Sequence, residues 1–119
     1  MSHLVVIQTR LRDPAAIAAA CTRLGLPAPT KGTARLFSGY ATGLQIQLPG
    51  WQYPVVVDTD TGQVLFDNYR GRLGNQADLD RFMQTYAVEK CRMEARRKGS
   101  TVTETALQDG SIRLQIVEG

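Results

Sequence analysis

The segment from Asp58 to Gly62, DTDTG, is the first stretch of the chain whose side chains could carry chemistry. Its two aspartates resemble the start of a calcium loop, which requires glycine at position six and a bidentate glutamate at position twelve. Here Gly62 falls one position early, and Tyr69 stands where the glutamate should be. The same Asp-Thr-Gly occurs in aspartic proteases, which need two such carboxylates packed together. We therefore interpret the segment as a hairpin turn.

No other combination of residues predicts catalysis. His3 is the single histidine and could titrate near neutral pH, but nothing in the sequence places Ser2 or Cys21 within its reach as a nucleophile. One histidine and two distant cysteines are too few for a four-ligand zinc site, and the phosphate-binding Gly-Lys-Ser/Thr motif is absent from the sequence. We therefore expect His3 to be a structural residue at the start of a strand. We also expect a protein that is not an enzyme and that binds neither metal nor cofactor.

Aromatic residues beside turns and arginines suggest binding instead. Two of them follow the Pro49-Gly50 turn, and a third precedes an Arg-Gly-Arg sequence. Exposed aromatic rings next to arginines anchor protein partners or stack on nucleic-acid bases. The alternative is that these rings fold over the edge of the core. The candidate partner-binding residues are Trp51, Tyr53, Tyr69, Arg70 and Arg72.

Basic residues concentrate near Gly99. The net charge of +3 is small, but five of the fourteen basic residues lie within the nine positions from Lys90 to Lys98. Such a cluster either complements the dipole at a helix end or binds phosphates. Glu89 and Glu94 are interleaved with it and lower the local potential, which favours the first interpretation. The candidate anion-binding residues under the second are Arg92, Arg96, Arg97 and Lys98.

Length and composition predict one domain over residues 1–119, with 43% hydrophobic residues. Its apolar runs fall far short of the roughly 20 residues that cross a bilayer. The N-terminus also lacks the pattern of a signal peptide. We therefore expect a cytoplasmic protein with no membrane contact, in which Cys21 and Cys91 are reduced and buried.

Two helices are predicted from hydrophobic spacing and capping residues. The first opens at Asp13-Pro14 and ends at Gly25. The second begins after Asn75 as N-cap, ends before Gly99 and carries three basic residues in its last turn. Its apolar stripe, at intervals of three and four residues, is formed by Leu79, Phe82, Met83, Tyr86, Ala87 and Cys91.

The first strand is predicted at 3–9 from its β-branched residues. From Thr33 the hydrophobic period changes to two, and the further strands are predicted at 34–40, 44–48, 53–58, 63–69, 101–107 and 112–117. Short turns between the middle four indicate an antiparallel meander, and Asp109-Gly110 indicates a final hairpin. The order is β-α-β-β-β-β-α-β-β. We therefore predict an α+β fold in which two helices pack on one face of a mostly antiparallel sheet.

The chain resembles the plastid and cyanobacterial hypothetical reading-frame thirty-five family, a domain family of unknown function. The residues that carry the resemblance, which covers essentially the whole chain, are Met1-Ser2-His3, Arg12-Asp13, 53–58 with Phe66-Asp67, Tyr86-Ala87 and 109–114. It implies a small bacterial or plastid protein that acts as an accessory factor to AAA-type ATPases, with no active site to transfer. The chain departs from the family in a shortened middle and a proline-rich segment at 26–29.

These observations predict a non-enzymatic protein-interaction module, an adaptor or accessory subunit. The resemblance adds an AAA-type ATPase as a candidate partner. The alternative is a protein that binds RNA or another nucleic acid. It would use the basic end of the long helix and the loop from Tyr69 to Arg72.

Overall fold

The elements follow the predicted order in the computed structural model, which describes residues 5–8, 11–69 and 71–118. His3 and Arg70 therefore lie outside the described residues. The α+β class is confirmed. The elements are β1 (Val5–Gln8), α1 (Pro14–Arg23), β2 (Thr30–Arg35), β3 (Tyr40–Ile46), β4 (Val55–Asp58), β5 (Gln63–Phe66), α2 (Gln76–Arg97), β6 (Ser100–Ala106) and β7 (Ile112–Glu118).

The main sheet has five strands in the order β1-β5-β4-β3-β2, and every neighbouring pair is antiparallel. Strands β2 to β5 form the predicted meander, because a short connection joins each strand to the next, which is its antiparallel neighbour. Strand β1 pairs with β5 and so lies at the opposite edge from β2. The central strand β4 places Val55 and Val57 on one face and Val56 on the other.

Both helices pack on the face that carries Val55 and Val57, as predicted. Phe82 is completely buried and Tyr86 is 7% exposed, which confirms that both are core residues. Ala87 is exposed instead, and Cys91 is only half-buried, whereas Cys21 is buried as expected. The main core comprises Leu11, Ala16, Ile17, Ala20, Cys21, Ile46, Leu48, Trp51, Val55, Val57, Val64, Phe66, Leu79, Phe82 and Tyr86.

The helix ends form as the sequence predicts. The side chain of Asp13 accepts hydrogen bonds from the backbone N–H groups of Ala15 and Ala16, at 3.0 and 3.3 Å. Asn75 caps α2 in the same way through Ala77, at 3.0 Å. These bonds satisfy donors that a helix start otherwise leaves unpaired. Neither described helix is both long and apolar enough to cross a lipid bilayer.

The C-terminal hairpin differs from the expectation of one sheet, because β6 and β7 form a second, two-stranded sheet. The cause is the length of α2, whose 22 residues span about 33 Å at 1.5 Å per residue. Strand β6 follows this helix directly and packs against its second half. The molecule is consequently elongated, with extents of 51 × 32 × 24 Å.

Candidate functional site

A second, smaller apolar cluster lies on the sheet face opposite the helices. Val56 and Leu36 are 0% and 1% exposed there, and Tyr53 and Leu65 pack partly buried against them. Leu36 belongs to the turn between β2 and β3, in which its N–H donates to the carbonyl of Gly39 at 2.6 Å. Burial of Leu36 fixes this turn against the sheet, and the next residue, Phe37, is left at the surface.

Three aromatic rings and one arginine meet beside this turn, and we name Phe37, Tyr53, Tyr69 and Arg72 the aromatic cluster. The ring of Phe37 stacks on Tyr69, with centroids 5.9 Å apart and planes within 9°. Its edge contact with Tyr53 has a centroid distance of 6.3 Å. The guanidinium carbon of Arg72 lies 5.5 Å from the Tyr69 centroid, within the range of a cation–π interaction. Phe37 remains 53% exposed at the centre of this arrangement.

The buried carboxylate of Asp67 joins the segments that carry these rings. Its Oδ2 accepts hydrogen bonds from the Ser38 N–H at 3.1 Å and from the Ser38 hydroxyl at 2.8 Å. Its Oδ1 accepts a longer bond from the N–H of Tyr69, at 3.4 Å. Asp67 is only 1% exposed, and a buried carboxylate requires such partners. It therefore holds Phe37 and Tyr69 in a fixed relation.

Tyr69 has a φ of +46°, and among the described residues it is the one non-glycine with positive φ. The turn around it is closed by the N–H of Arg72, which donates to the Tyr69 carbonyl at 3.1 Å, and by the N–H of Leu73, which donates to Asn68 at 2.8 Å. A bulky residue in this conformation costs about 1–3 kcal/mol, and such strain is typical of binding sites. These hydrogen bonds and the positive φ thus fix the position of the Tyr69 ring.

Trp51 supports this loop from inside the protein. It is 4% exposed, and its ring contacts Phe66 with a centroid distance of 5.7 Å. Its Nε1–H donates to the carbonyl of Asn75 at 3.1 Å, and a Cβ at Gly74 would lie 2.3 Å from its ring. The expectation that Trp51 is an exposed partner-binding residue is therefore wrong. A Pro-Gly turn beside it does not reveal that α2 and its preceding loop close over the indole.

Three predicted partner-binding residues, Tyr53, Tyr69 and Arg72, do come together. Phe37, which bridges the two tyrosines, is missing from the predicted residues because the sequence pattern predicts a regular strand over 34–40. The signal that could have found it is the Ser38-Gly39 pair, which is typical of a turn and would leave the preceding apolar residue at a hairpin tip. Nothing in the sequence pairs that tip with Tyr69.

The basic end of α2 is partly neutralised. Arg92 donates through Nη1 to Oε2 of Glu104 at 2.7 Å, and Arg23 binds both carboxylate oxygens of Glu104, at 2.5 and 3.0 Å. Hydrogen bonding to Arg23, followed by the charges of Arg23 and Arg92, lowers the pKa of Glu104. Glu89 lies 3.9 Å from Nε of Arg92. Arg92 is therefore a structural ion-pair residue that connects α2, α1 and the hairpin.

The other three candidate anion-binding residues, Arg96, Arg97 and Lys98, are exposed. None of them has an acidic partner within 4 Å in the part of the chain that the structure describes. They remain available to an anion, but the predicted group of four is reduced to three.

The acidic segment at Asp58 forms the predicted turn. Oδ1 of Asp58 accepts from the N–H of Asp60 at 3.0 Å, and its carbonyl accepts from the N–H of Gly62 at 2.7 Å. A cleft of about 530 Å³ opens beside this turn, between the start of α1 and strands β3 and β4. Across residues 5–8, 11–69 and 71–118, no three His, Cys, Asp or Glu side chains are grouped so that they could hold a metal ion.

Comparisons with protein-family models, curated proteins and solved structures gave no match to this chain. The resemblance described from the sequence therefore stays a prediction. The aromatic cluster and the charged surfaces are the features of the molecule that bear on its function.

Proposed function

We propose that this protein is a non-enzymatic interaction module, an adaptor or accessory subunit, whose protein partner docks on the aromatic cluster. The observation that carries this proposal is Phe37, which is 53% exposed yet stacked on Tyr69 within 9° of parallel. Interfaces concentrate their binding energy in a few aromatic and arginine residues. Tyr69 and Arg72 are of those residue types.

The cluster is also preorganised. Asp67 and the strained turn at Tyr69 hold the rings in place before any partner arrives. Binding then orders few side chains, and each side chain that need not be immobilised saves about 0.5–1.5 kcal/mol. The resemblance described from the sequence makes an AAA-type ATPase the first partner to test.

Affinity capture from the native organism, compared across variants, tests the proposal. Phe37→Ser removes the central ring, and Arg72→Glu reverses the charge over Tyr69. Leu107→Ser is the matched control, because Leu107 is also an exposed apolar residue, at 38%, but lies in the distant hairpin. We expect one protein to be retained by the wild type and the control and lost from both cluster variants. Equal retention by all four proteins would overturn the proposal.

Nucleic-acid binding is the second candidate, supported by the exposed charges of Arg96, Arg97 and Lys98, which have no acidic partner among the described residues. The engagement of Arg92 with Glu104 weakens it, because that charge is already compensated. Fluorescence anisotropy with short single-stranded and duplex oligonucleotides at about 100 mM salt, where the Debye length is about 10 Å, tests it. Micromolar binding, abolished by Arg96→Glu with Arg97→Glu, would establish this function instead. Its affinity would fall with salt by a slope of roughly 0.7–0.9 per phosphate neutralised.

A further inference from the structure

The outer edge of β7 is an unpaired strand edge of the second sheet, seven residues long. Strands β6 and β7 pair without interruption over seven residues each, from Ser100 opposite Glu118 to Ala106 opposite Ile112. No bulge interrupts this register, and no proline occurs in β7. Within the described residues, β6 is the one strand that pairs with β7, so the other edge of β7 has no strand partner there.

The hydrogen-bond pattern identifies which groups face outwards. The N–H of Leu107 donates to the carbonyl of Ser111 at 2.9 Å, which makes these two residues a hydrogen-bonded pair. Antiparallel pairs alternate between bonded and non-bonded, so Arg113, Gln115 and Val117 bond to β6. The backbone N–H and C=O groups of Ile112, Leu114 and Ile116 consequently point away from β6.

One outward group of β6 is bonded to α2, whereas the outward groups of β7 have no hydrogen-bond partner among the described residues. By the same alternation the carbonyl of Val102 on β6 points outwards, and Nη1 of Arg92 donates to it at 3.4 Å. On the main sheet, the edge strand β2 carries Lys31 and Arg35, whereas residues 114–117 in the second half of β7 carry no charge. Natural proteins protect strand edges with such charges, and an unprotected apolar edge is a template for pairing.

We propose that β7 pairs antiparallel with β7 of a second copy of this chain, about a twofold axis at Leu114, to form a four-stranded sheet. In that register Leu114 lies opposite Leu114 of the second copy, and Ile112 lies opposite its Ile116. Every outward N–H and C=O of these residues then meets a partner. On the other face Arg113 lies opposite Gln115, so no like charges meet. The surface is self-complementary, as a twofold interface requires.

Side-chain exposure identifies what the second copy covers. Ile116 is 57% exposed and lines a groove of about 220 Å³ with Cys91 and Ala95 of α2. The second copy's Ile112, directly opposite Ile116, lies on the same face and covers this groove. Helix α2 packs against β6.

Sedimentation equilibrium of the full chain between about 1 and about 100 µM, a range in which moderate interfaces associate, tests this assembly. We expect the mass to rise with concentration towards twice the chain mass of 13.1 kDa. Ile116→Lys places a charge at the edge, and Ile116→Pro removes an outward N–H that β6 does not use; both variants stay monomeric. Thr103→Lys adds the same charge on β6, where the side chain is exposed, and leaves the dimer intact.

Amide hydrogen exchange adds a readout specific to the edge. At high concentration the amides of Ile112, Leu114 and Ile116 become protected, and on dilution they lose that protection, while those of Arg113 and Gln115 stay protected at both concentrations. A monomeric wild type throughout this range overturns the proposal. A dimer that persists in both Ile116 variants, or that protects other amides, also overturns it, because the contact would lie elsewhere.

Discussion

The carboxylate of Asp67 accepts two hydrogen bonds from Ser38, one from the backbone N–H at 3.1 Å and one from the hydroxyl at 2.8 Å. This contact joins the tip of the β2–β3 hairpin to the end of β5. Phe37, next to Ser38, and Tyr69, two residues after Asp67, are thereby held face to face.

Asp67→Ala removes the acceptor of both Ser38 bonds inside a buried site. We expect the free energy of unfolding to fall by about 1–3 kcal/mol, measured by urea denaturation. Ser38→Ala removes the hydroxyl bond alone and should cost about 0.5–1.5 kcal/mol. Capture of the partner should weaken in Asp67→Ala, because Phe37 loses its fixed position. If Asp67→Ala were as stable as the wild type, the carboxylate would not hold the hairpin tip.

Gly74→Ala tests the support beneath the cluster. A Cβ at this position would lie 2.3 Å from the Trp51 ring, so the ring or the loop has to move. We expect a loss of about 1–3 kcal/mol in the free energy of unfolding and a shifted emission spectrum from Trp51, the single tryptophan. Gly39→Ala is the control, since a Cβ there meets nothing within 4 Å. An unchanged Trp51 spectrum in Gly74→Ala would show that the contact is looser than described.

Phe82→Ala opens a cavity where α2 meets the sheet. The side chain is completely buried, so the variant should lose about 3–5 kcal/mol of unfolding free energy. The exposed neighbour Arg81 provides the control, and Arg81→Ala should change stability by less than about 0.5 kcal/mol. A loss under about 1 kcal/mol for Phe82→Ala would contradict the packing of α2 described above.

Stability should fall in acid through two carboxylates. Hydrogen bonds from Arg23 to Glu104 and from Lys90 to Asp13 are the largest causes that lower the pKa of each acid in the folded protein. A lowered folded pKa means that the unfolded chain binds protons first as pH falls, so this stabilisation is complete above the unfolded pKa and is lost below about pH 4.

Urea denaturation at several pH values from about 7 to about 3 measures this loss. Glu104→Gln should flatten the dependence in that acidic range, whereas Asp60→Asn, which removes an exposed carboxylate outside the ion pairs, should leave it unchanged. An identical pH profile for wild type and Glu104→Gln would contradict a stabilising role for the Arg23–Glu104–Arg92 network.

Local patterns predict the order of the elements, but the strand predicted at 34–40 is wrong, because β2 ends at Arg35 and residues 36–39 form a turn before β3. Hydrophobic spacing and capping depend on residues within a few positions, which is why the helix starts at Asp13-Pro14 and Asn75 were predictable. The separation of the hairpin from the main sheet was not, because it follows from how far α2 extends beyond that sheet.

Part of the candidate site was predictable as well, because some of its residues are close neighbours in the sequence. Tyr69 and Arg72 stand together in the sequence, so their proximity is local. The stacking of Phe37 on Tyr69 depends on how the β2–β3 hairpin lies against the loop that follows β5. The burial of Trp51 depends on a loop that follows it by more than twenty residues. Contacts of this kind are set by tertiary packing rather than by local spacing.

Photo-crosslinking in cells of the native organism tests most directly whether a protein docks on the aromatic cluster. A photoreactive benzoyl-phenylalanine is placed at position 37 and, as a control, at position 107. We predict one discrete crosslinked protein from position 37, the same one retained in affinity capture, lost when Arg72→Glu is added and absent from position 107. Crosslinks to nucleic acid alone, or the same products from both positions, would contradict the proposed docking site.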